Sequence, residues 1–226
     1  MRAKVSMNPG RPLVDVLKSL IERTYDIPPL IEDLAPFIVG DEGYRRFYDR
    51  PGLESPEKGA RILVRATDGA LRAAFYCPDS LVHHLEMFNP LKGLGDVNIE
   101  AFAVLVEEVD HLVTLASRAS ESRPVTLLEL EHHANITKYL AVVHFLGKQT
   151  GSRRVAEPLR QWARFHLFER YSRTRGAEGA RYREAARLAW RYLRILESLT
   201  PVERRVEIRA FHRRTLSEIL HLVERN

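Results

Sequence analysis

The spacing of apolar residues divides the chain into an N-terminal helical segment, a short β region and a long helical region. Apolar residues at helical intervals predict a first helix over 13–23, which ends before Pro28 because proline disfavours a helical residue before it. A second helix is expected over 30–37 and a further helical turn over 44–48. From residue 98 onward the pattern predicts five helices, at 98–119, 125–147, 155–174, 178–198 and 202–224.

Two β-prone runs, 61–66 and 71–76, flank the dipeptide Asp68-Gly69. This dipeptide favours a type I′ hairpin turn, because both central positions of that turn need a positive φ. The sequence therefore predicts one antiparallel hairpin. Since a lone hairpin is unstable in water, it must pack on helices or pair with another strand.

The fold class that follows is mainly α, with a single inserted β-hairpin. The chain shows no linker-like stretch, so we predict one domain over 1–226. It consists of an N-terminal helical segment (1–59), the hairpin (60–77) and a helical bundle of about five helices (78–226). The links between the long helices are short, which predicts antiparallel neighbours.

Composition narrows the class of protein. With 226 residues, of which 45% are hydrophobic, the chain can bury a sizeable core. Cys77 is the one cysteine, which excludes an internal disulfide framework and a cysteine-rich zinc site. We see no secretory signal and no apolar stretch long enough to span a bilayer, so we expect a cytoplasmic protein without membrane insertion.

Charge is distributed unevenly along the chain. Residues 153–214 contain 17 Arg, no Lys, 7 Glu and no Asp, a net charge of +10, while the whole chain carries +5. The remainder is therefore acidic, with −5. This asymmetry indicates either an acidic partner or charge pairing within the fold. The preference for Arg over Lys also fits coding bias in a GC-rich genome, as in many bacteria.

A glutamate lies among apolar residues on the helix at 98–119. The helical neighbours of Glu108 include Leu105 and Leu112, together with His111 one turn on. A carboxylate in such surroundings is expected to be buried, and a buried charge requires a partner. His111 is the nearest candidate.

The next helix repeats this pattern. Glu129 and His133 share one face with the apolar residues Ile136 and Leu140. Two antiparallel helices joined by a short link bring such faces together. We therefore expect the glutamates and histidines of the two helices to converge, and they are our candidate catalytic and metal-binding residues: Glu108, His111, Glu129 and His133.

Two kinds of chemistry suit these residue types. Glu-x-x-His on paired helices is how di-iron carboxylate bundles hold metal, and the same residues would suit Zn²⁺, so a divalent Fe or Zn ion is the candidate cofactor. Without metal, a buried glutamate has a raised pKa and can act as a general acid or base beside histidine. The alternative is a buried polar network in which Glu108 and Glu129 pair with Arg or His and fix the register of the helices.

The Arg-rich helices form a second candidate site. Arginines recur at helical spacing on the helices at 178–198 and 202–224, with one tryptophan among them. The predicted basic surface comprises Arg183, Arg187, Trp190, Arg191, Arg194, Arg205, Arg209 and Arg213. Arginine forks onto phosphate and tryptophan stacks on bases, so nucleic acid is one candidate partner. An acidic protein surface fits equally, including the acidic half of a second copy in a homo-oligomer, and so does a solvated helix face.

Two functional hypotheses remain. The first is a metal- or small-molecule-binding protein, with hydrolytic or redox chemistry at the Glu/His residues. The second is a non-catalytic interaction module that uses its Arg-rich helices. The residues leave open whether the protein is an enzyme.

Overall fold

The structure is a computed structural model that describes residues 11–48, 59–67, 70–152, 154–169 and 176–225. Within these ranges the chain is mainly helical with one small mixed sheet, which confirms the predicted fold class. In the N-terminal part, α1 spans Arg11–Tyr25 and α2 spans Asp41–Phe47. Both agree with the helical periodicity of the sequence.

The stretch over 30–37, which was predicted to be a helix, is not an α-helix in the structure. It is irregular apart from a 3₁₀ turn at Ala35–Phe37, and it continues into a two-residue strand, β1, at Ile38–Val39. β1 pairs in parallel with a strand more than 30 residues later in the chain, with Ile38 opposite Phe75. Local periodicity carries no information about such a partner, so this helix prediction was wrong.

The predicted hairpin is confirmed. β2 (Arg61–Thr67) and β3 (Ala70–Tyr76) are antiparallel and in register from Arg61 opposite Tyr76 to Thr67 opposite Ala70. The turn residues Asp68 and Gly69 lie outside the described residues. The strand order is β1-β3-β2, and the sheet packs against a long helix of the bundle, so the hairpin gains both kinds of support that it needs.

The rest of the described chain is helical. The remaining helices are α3 (Asp79–Met87), α4 (Ile99–Ser120), α5 (Leu127–Thr150), α6 (Glu157–Arg164), α7 (Gly176–Ser198), α8 (Pro201–Arg213) and α9 (Leu216–Glu224), with a π-helical turn at Phe165–Glu169 after α6.

The helix predicted over 202–224 is in fact two helices. Arg214 is extended, and the Thr215 side chain accepts a hydrogen bond from the Glu218 amide and so caps α9. Thr-x-x-Glu is a helix-start pattern, so the break was readable from the sequence. After residue 98 the described chain therefore has six α-helices where five were expected.

Helix α5 lies at the centre of the bundle and packs against α4, α7, α6 and α1. It is therefore buried on several sides, although it carries many polar residues. One connected hydrophobic core runs from Leu13 of α1 to Val223 of α9. The buried polar side chains of α5 must find partners inside this core: Glu131, His132, His133, Asn135 and Thr137.

Among the described residues, none of the helices has the length and apolar character needed to cross a lipid bilayer.

Candidate functional site

The four candidate residues separate into three places. Glu108 and His111 lie together, with Glu108 Oε2 3.7 Å from His111 Nδ1 and both side chains largely buried. Glu129 and His133 do not join them. The structure therefore brings together the pair on α4, whereas the two residues of α5 have other partners.

Glu129 is part of the N-terminal cap of α5. Its carboxylate accepts a hydrogen bond from the Thr126 amide at 2.7 Å, while the Thr126 side chain accepts from the Glu129 amide. The same carboxylate accepts from the Leu216 amide at 3.1 Å, which ties the start of α9 to the start of α5. Burial opposes ionisation, but these hydrogen bonds lower the pKa of Glu129. The sequence Thr126-Leu-Leu-Glu129 contains this capping pattern.

His133 contacts Asp110 of α4. The imidazole Nδ1 lies 2.8 Å from Asp110 Oδ2, and Asp110 has no exposed surface. The Thr137 hydroxyl also donates to Asp110, at 2.7 Å, and Tyr25 of α1 hydrogen-bonds the same hydroxyl. The carboxylate is therefore satisfied inside the core by two groups of α5, one of which is also bonded to α1.

The hydrogen bonds continue from His133 to α8. His133 Nε2 lies 3.1 Å from His212 Nδ1, and His212 Nε2 lies 3.0 Å from Ser117 Oγ. With neutral imidazoles and an ionised Asp110, a single direction of hydrogen-bond donation gives every group a partner. Ser117 donates to His212, His212 donates to His133, and His133 donates to Asp110. We call Asp110, His133, His212 and Ser117 the buried relay.

Among the described residues, the buried relay borders a cavity too small for a ligand. Ser117 is 2% exposed, and the cavity bordered by Thr114, His132 and His133 has a volume of about 10 Å³, enough for about one water molecule. Burial, together with the neighbouring His133, lowers the pKa of His212 to about 3. These features fit a structural network that fixes α8 on α4 and α5.

A second polar group lies between α4 and α5, closer to the surface. The ligand atoms of Glu107, His111 and Glu131 all lie within 4.8 Å of one another. We call these three residues the Glu–His–Glu cluster. Lys138 donates a very short hydrogen bond, 2.5 Å, to Glu107. Glu108 lies beside the cluster and contacts its histidine.

The pKa of each residue in the Glu–His–Glu cluster depends on the charges of its neighbours. Burial would lower the pKa of His111, but Glu108, Glu107 and Glu131 outweigh it and raise the pKa to about 9. Burial, followed by repulsion from Glu107, raises the pKa of Glu131 to about 7. Burial would raise the pKa of Glu107 as well, but Lys138 and His111 hold it below its usual value. The cluster therefore retains a proton on His111 at neutral pH.

Some buried polar atoms beside the Glu–His–Glu cluster have no hydrogen-bond partner among the described residues. Glu108 Oε2 and His111 Nε2 are buried and have no hydrogen-bond partner. Arg181 of α7 approaches Glu131 at 4.0 Å, which is an ion-pair contact but too long for a hydrogen bond. Buried polar atoms without partners cost stability, so each one calls for an explanation such as an ion or a ligand.

Glu107 and Glu131 were not among the candidate residues predicted from the sequence. The signal that could have found the cluster is the spacing Glu107-x-x-x-His111, which puts a carboxylate and an imidazole on one helix face.

A cleft of about 480 Å³ adjoins the Glu–His–Glu cluster. Helices α4 and α7 both pack on α5 rather than closely on each other, and the cleft lies between them. Its walls are mainly apolar and aromatic, with charged side chains distributed along its length. The lining residues are Glu100, Ala103, Val104, Glu107, Asn135, Lys138, Arg164, Leu167, Phe168, Glu169, Tyr182, Arg183, Ala186, Arg187 and Trp190.

The predicted basic surface is divided by the fold. Arg183, Arg187 and Trp190 line the cleft. The Arg164 guanidinium stacks over the Trp190 ring, with its carbon 5.3 Å from the ring centroid, so the tryptophan belongs to the cleft wall. The remaining members are exposed on α7 and α8, and two of them approach Asp26, at 3.8 Å (Arg209) and 3.9 Å (Arg213).

Comparison of this chain with protein-family models, with curated proteins and with solved structures gives no match.

Proposed function

We propose that this protein binds a divalent metal ion through Glu107, His111 and Glu131, beside a cleft that admits a small molecule. The observation that carries the proposal is the approach of two carboxylates and one imidazole to within 4.8 Å of one another. Glu107 belongs both to this cluster and to the lining of the cleft. A metal ion at the cluster would therefore be reachable from the cleft.

The residue types suit a first-row divalent metal. Imidazole and carboxylate ligands bind Zn²⁺, Fe²⁺ and Mn²⁺, with bonds of about 2.0–2.2 Å for Zn²⁺. Tetrahedral coordination at that bond length separates the ligand atoms by roughly 3.4 Å. The ligand atoms, which lie within 4.8 Å of one another, would therefore approach by at most about 1.4 Å on binding, which side-chain rotation on two adjacent helices can supply.

The protonation state supports the same proposal. The cluster stabilises a proton on His111 because three glutamates surround it. A metal ion would replace that proton, and it would also compete with Lys138 for Glu107. The negative charge that raises the pKa of His111 is the property that favours a cation at this place.

Three protein ligands leave coordination positions open to water or to a ligand in the cleft. Catalytic metal sites have this arrangement, whereas structural zinc sites are closed by four protein ligands. With Zn²⁺, such a site suits hydrolysis by an activated water; with Fe²⁺, it suits redox chemistry. We therefore propose that any reaction takes place at the end of the cleft occupied by Glu107 and Lys138.

The test is metal binding by protein purified without a histidine tag. The protein is stripped with a chelator, dialysed against Zn²⁺, Mn²⁺ or anaerobic Fe²⁺, and its metal content and affinity are measured. We expect one ion per chain. We also expect His111→Asn and Glu131→Gln each to weaken binding on the order of 100-fold, because each removes a ligand.

A matched control exists on α3. His83 and Glu86 have the same i,i+3 separation in sequence as Glu108 and His111. His83 Nδ1 lies 3.9 Å from Glu86 Oε2, but the His83 side chain is mostly exposed. The variants His83→Asn and Glu86→Gln should leave binding unchanged. A chain that takes up no stoichiometric metal, or a control pair that matters as much as the cluster, would contradict the proposal. Circular dichroism shows whether each variant is folded.

A polyanion-binding surface is the second candidate function. Arg191 and Arg194 on α7 and Arg205 on α8 are exposed, so a phosphate backbone could reach them. We expect binding to mixed-sequence duplex DNA that weakens steeply with salt and with the pair Arg191→Glu, Arg194→Glu. A control with the same change of charge is Arg72→Glu, Lys92→Glu. No binding at low salt, or an equal effect of the control, would dismiss this candidate.

A further inference from the structure

The basic side chains that line the cleft are already engaged by other groups. Four of the lining residues are basic, and three of them form a hydrogen-bonded ion pair with a glutamate. The fourth, Arg183, is not free either. An anionic ligand would therefore have to displace a carboxylate before it gained a cation. The pairs, each with a nitrogen–oxygen distance of 2.5 Å, are Lys138 with Glu107, Arg164 with Glu157 and Arg187 with Glu184.

The acidic side chains that line the cleft give a cation no better place. Glu107 is paired with a lysine, Glu100 is engaged as well, and Glu169 is exposed, so that water and salt screen its charge. A cation also binds over an aromatic face, but the Arg164 guanidinium already lies over the Trp190 ring, 5.3 Å from its centroid. The described lining therefore gives little advantage to a charged ligand of either sign.

Asn135 presents an unused hydrogen-bond acceptor to the cleft. It lies on α5, against which both helices of the cleft walls pack, and its side chain lines the cleft although the residue is only 5% exposed. The side-chain nitrogen donates to the Glu131 carbonyl oxygen at 2.9 Å, which fixes the orientation of the amide. No described residue donates to Oδ1, so a ligand N–H or O–H group would give this oxygen its partner.

Aromatic and small side chains shape the rest of the cleft. Phe168 and Trp190 lie side by side, with their ring centroids 6.2 Å apart. Ala103 on α4 and Ala186 on α7 also line the cleft and leave space that larger apolar side chains would fill. Ring faces favour flat apolar groups, and a cleft of about 480 Å³ holds a molecule of two or more rings.

We propose that the cleft binds an uncharged, planar aromatic molecule that donates a hydrogen bond to Asn135 Oδ1. Phenols and N–H heterocycles of the indole kind are the chemical class that meets both requirements. The inference rests on the proposed function in one respect, since it uses the same cleft, but it needs no metal ion. It adds the chemical class of the ligand.

The test uses four naphthalene probes, titrated calorimetrically at neutral pH into chelator-treated protein. 2-Naphthol is uncharged and donates a hydrogen bond, 2-methoxynaphthalene has no donor, 2-naphthoate is an anion and 2-naphthylmethylamine is a cation. We expect a single site that binds 2-naphthol about fivefold more tightly than 2-methoxynaphthalene, because a hydrogen bond is gained. Both charged probes should bind about tenfold more weakly than 2-naphthol, since each brings a charge without a partner.

Three variants locate the site. Ala186→Leu fills the cleft and should abolish binding of 2-naphthol, whereas Ala180→Leu is exposed on the same helix, lies outside the cleft lining and should have no effect. Asn135→Leu should remove the preference for 2-naphthol and change the affinity for 2-methoxynaphthalene by less than about twofold. Circular dichroism shows whether each variant is folded, and the comparison of the four probes in the wild-type protein needs no variant.

The proposal is supported by saturable binding with this order of affinities that Ala186→Leu removes and Ala180→Leu does not. Four results overturn it: no saturable binding, a charged probe that binds as tightly as 2-naphthol, an equal loss in Ala180→Leu, or a preference for 2-naphthol that a folded Asn135→Leu retains.

Metal analysis of the same protein separates this proposal from the metal proposal. If 2-naphthol binds as expected and the protein takes up no stoichiometric metal, the ligand class is supported and the metal site is not. If metal binds stoichiometrically but no probe binds with or without Zn²⁺, the metal site is supported and the ligand class is overturned.

Discussion

The Lys138 ammonium on α5 donates to the Glu107 carboxylate on α4, so that one of the three candidate metal ligands is already paired with a cation. Both side chains are largely buried, and the lysine lies seven residues beyond Glu131 on the same helix. Lysine and a metal ion would therefore compete for one carboxylate. The effect of removing Lys138 on metal affinity therefore distinguishes a metal site from a structural ion pair.

Lys138→Met should tighten metal binding and destabilise the metal-free protein. Removing a positive charge near the ion should increase affinity about tenfold. The uncompensated Glu107 should lower the free energy of unfolding by about 1–3 kcal/mol, and saturating Zn²⁺ should restore it. Calorimetric titration and urea unfolding measure the two effects.

The control for this prediction is Lys18→Met. Lys18 pairs with Glu22 at 3.0 Å on α1, and this pair is as buried as the pair of Lys138 and Glu107. It should lose some stability but show no change in metal affinity. If Lys138→Met weakens metal binding, Lys138 does not compete with the ion and the assignment of Glu107 as a ligand is wrong.

Metal affinity should rise with pH up to about 9. His111 has a pKa raised to about 9 by its glutamate neighbours, so an ion that binds its imidazole at pH 7 displaces a proton. The affinity should therefore increase about tenfold per pH unit between 7 and 9 and level off above that. Below pH 7 the dependence should steepen, because Glu131, with a pKa of about 7, also becomes protonated.

The measurement for this prediction is Zn²⁺ affinity at several pH values, with the free ion set by a competing chelator. Calorimetry in buffers of different ionisation enthalpy counts the protons released. An affinity that does not change between pH 7 and 9 would show that the ion does not bind His111. Glu86→Gln serves as the control variant and should give the wild-type curve.

Local patterns in the sequence predicted most of the secondary structure. The hairpin followed from Asp68-Gly69 between two β-prone runs, because this signal lies within a few residues of the strands that it joins. The strand at Ile38–Val39 was not predictable in this way, since its partner β3 is distant in the chain.

The candidate site was predicted in part, and the reason is tertiary packing. The sequence identified Glu108 as a buried carboxylate and His111 as its partner. It could not indicate that His133 would bond Asp110 and that α8 would supply His212 as a second partner, because the rotation of each helix depends on elements far along the chain. The capping role of Glu129 has a local signal, because its pattern with Thr126 is present in the sequence.

Replacing Glu129 should reduce stability and leave metal binding unchanged. Its carboxylate caps α5 and also accepts from the Leu216 amide of α9, so Glu129→Ala should lower the free energy of unfolding by about 2 kcal/mol. Glu203→Ala is the matched control, because Glu203 occupies the same capping position on α8. Its cost should be smaller, because Glu203 makes the capping contacts without a second bond of the Leu216 kind.

Urea unfolding of the two variants and Zn²⁺ titration measure these effects. Equal costs would show that the contact with Leu216 contributes nothing. A loss of metal affinity in Glu129→Ala, at retained fold, would return Glu129 to the candidate ligands and contradict the assignment of the Glu–His–Glu cluster.

The buried relay should make the protein sensitive to acid through His212. Burial and the neighbouring His133 lower the pKa of His212 to about 3, so the folded protein holds this imidazole neutral while the unfolded chain protonates it below about 6.5. Its contribution to stability is therefore complete above the unfolded pKa and is lost as the pH falls toward 3. Between those values one histidine contributes up to about 1.4 kcal/mol per pH unit.

His212→Gln removes the titrating ring and keeps polar atoms that can hydrogen-bond Ser117. We expect it to lower the free energy of unfolding at pH 7 by about 1–3 kcal/mol, because the contacts with Ser117 and His133 are altered, and to flatten the dependence of stability on pH between about 6 and 4. His221→Gln, on an exposed position of α9, is the control and should keep the wild-type slope. Because both variants retain every carboxylate, the difference between their slopes in urea unfolding isolates His212. Equal slopes would mean that the folded protein protonates His212 as readily as the unfolded chain does, which a sealed relay between His133 and Ser117 does not allow.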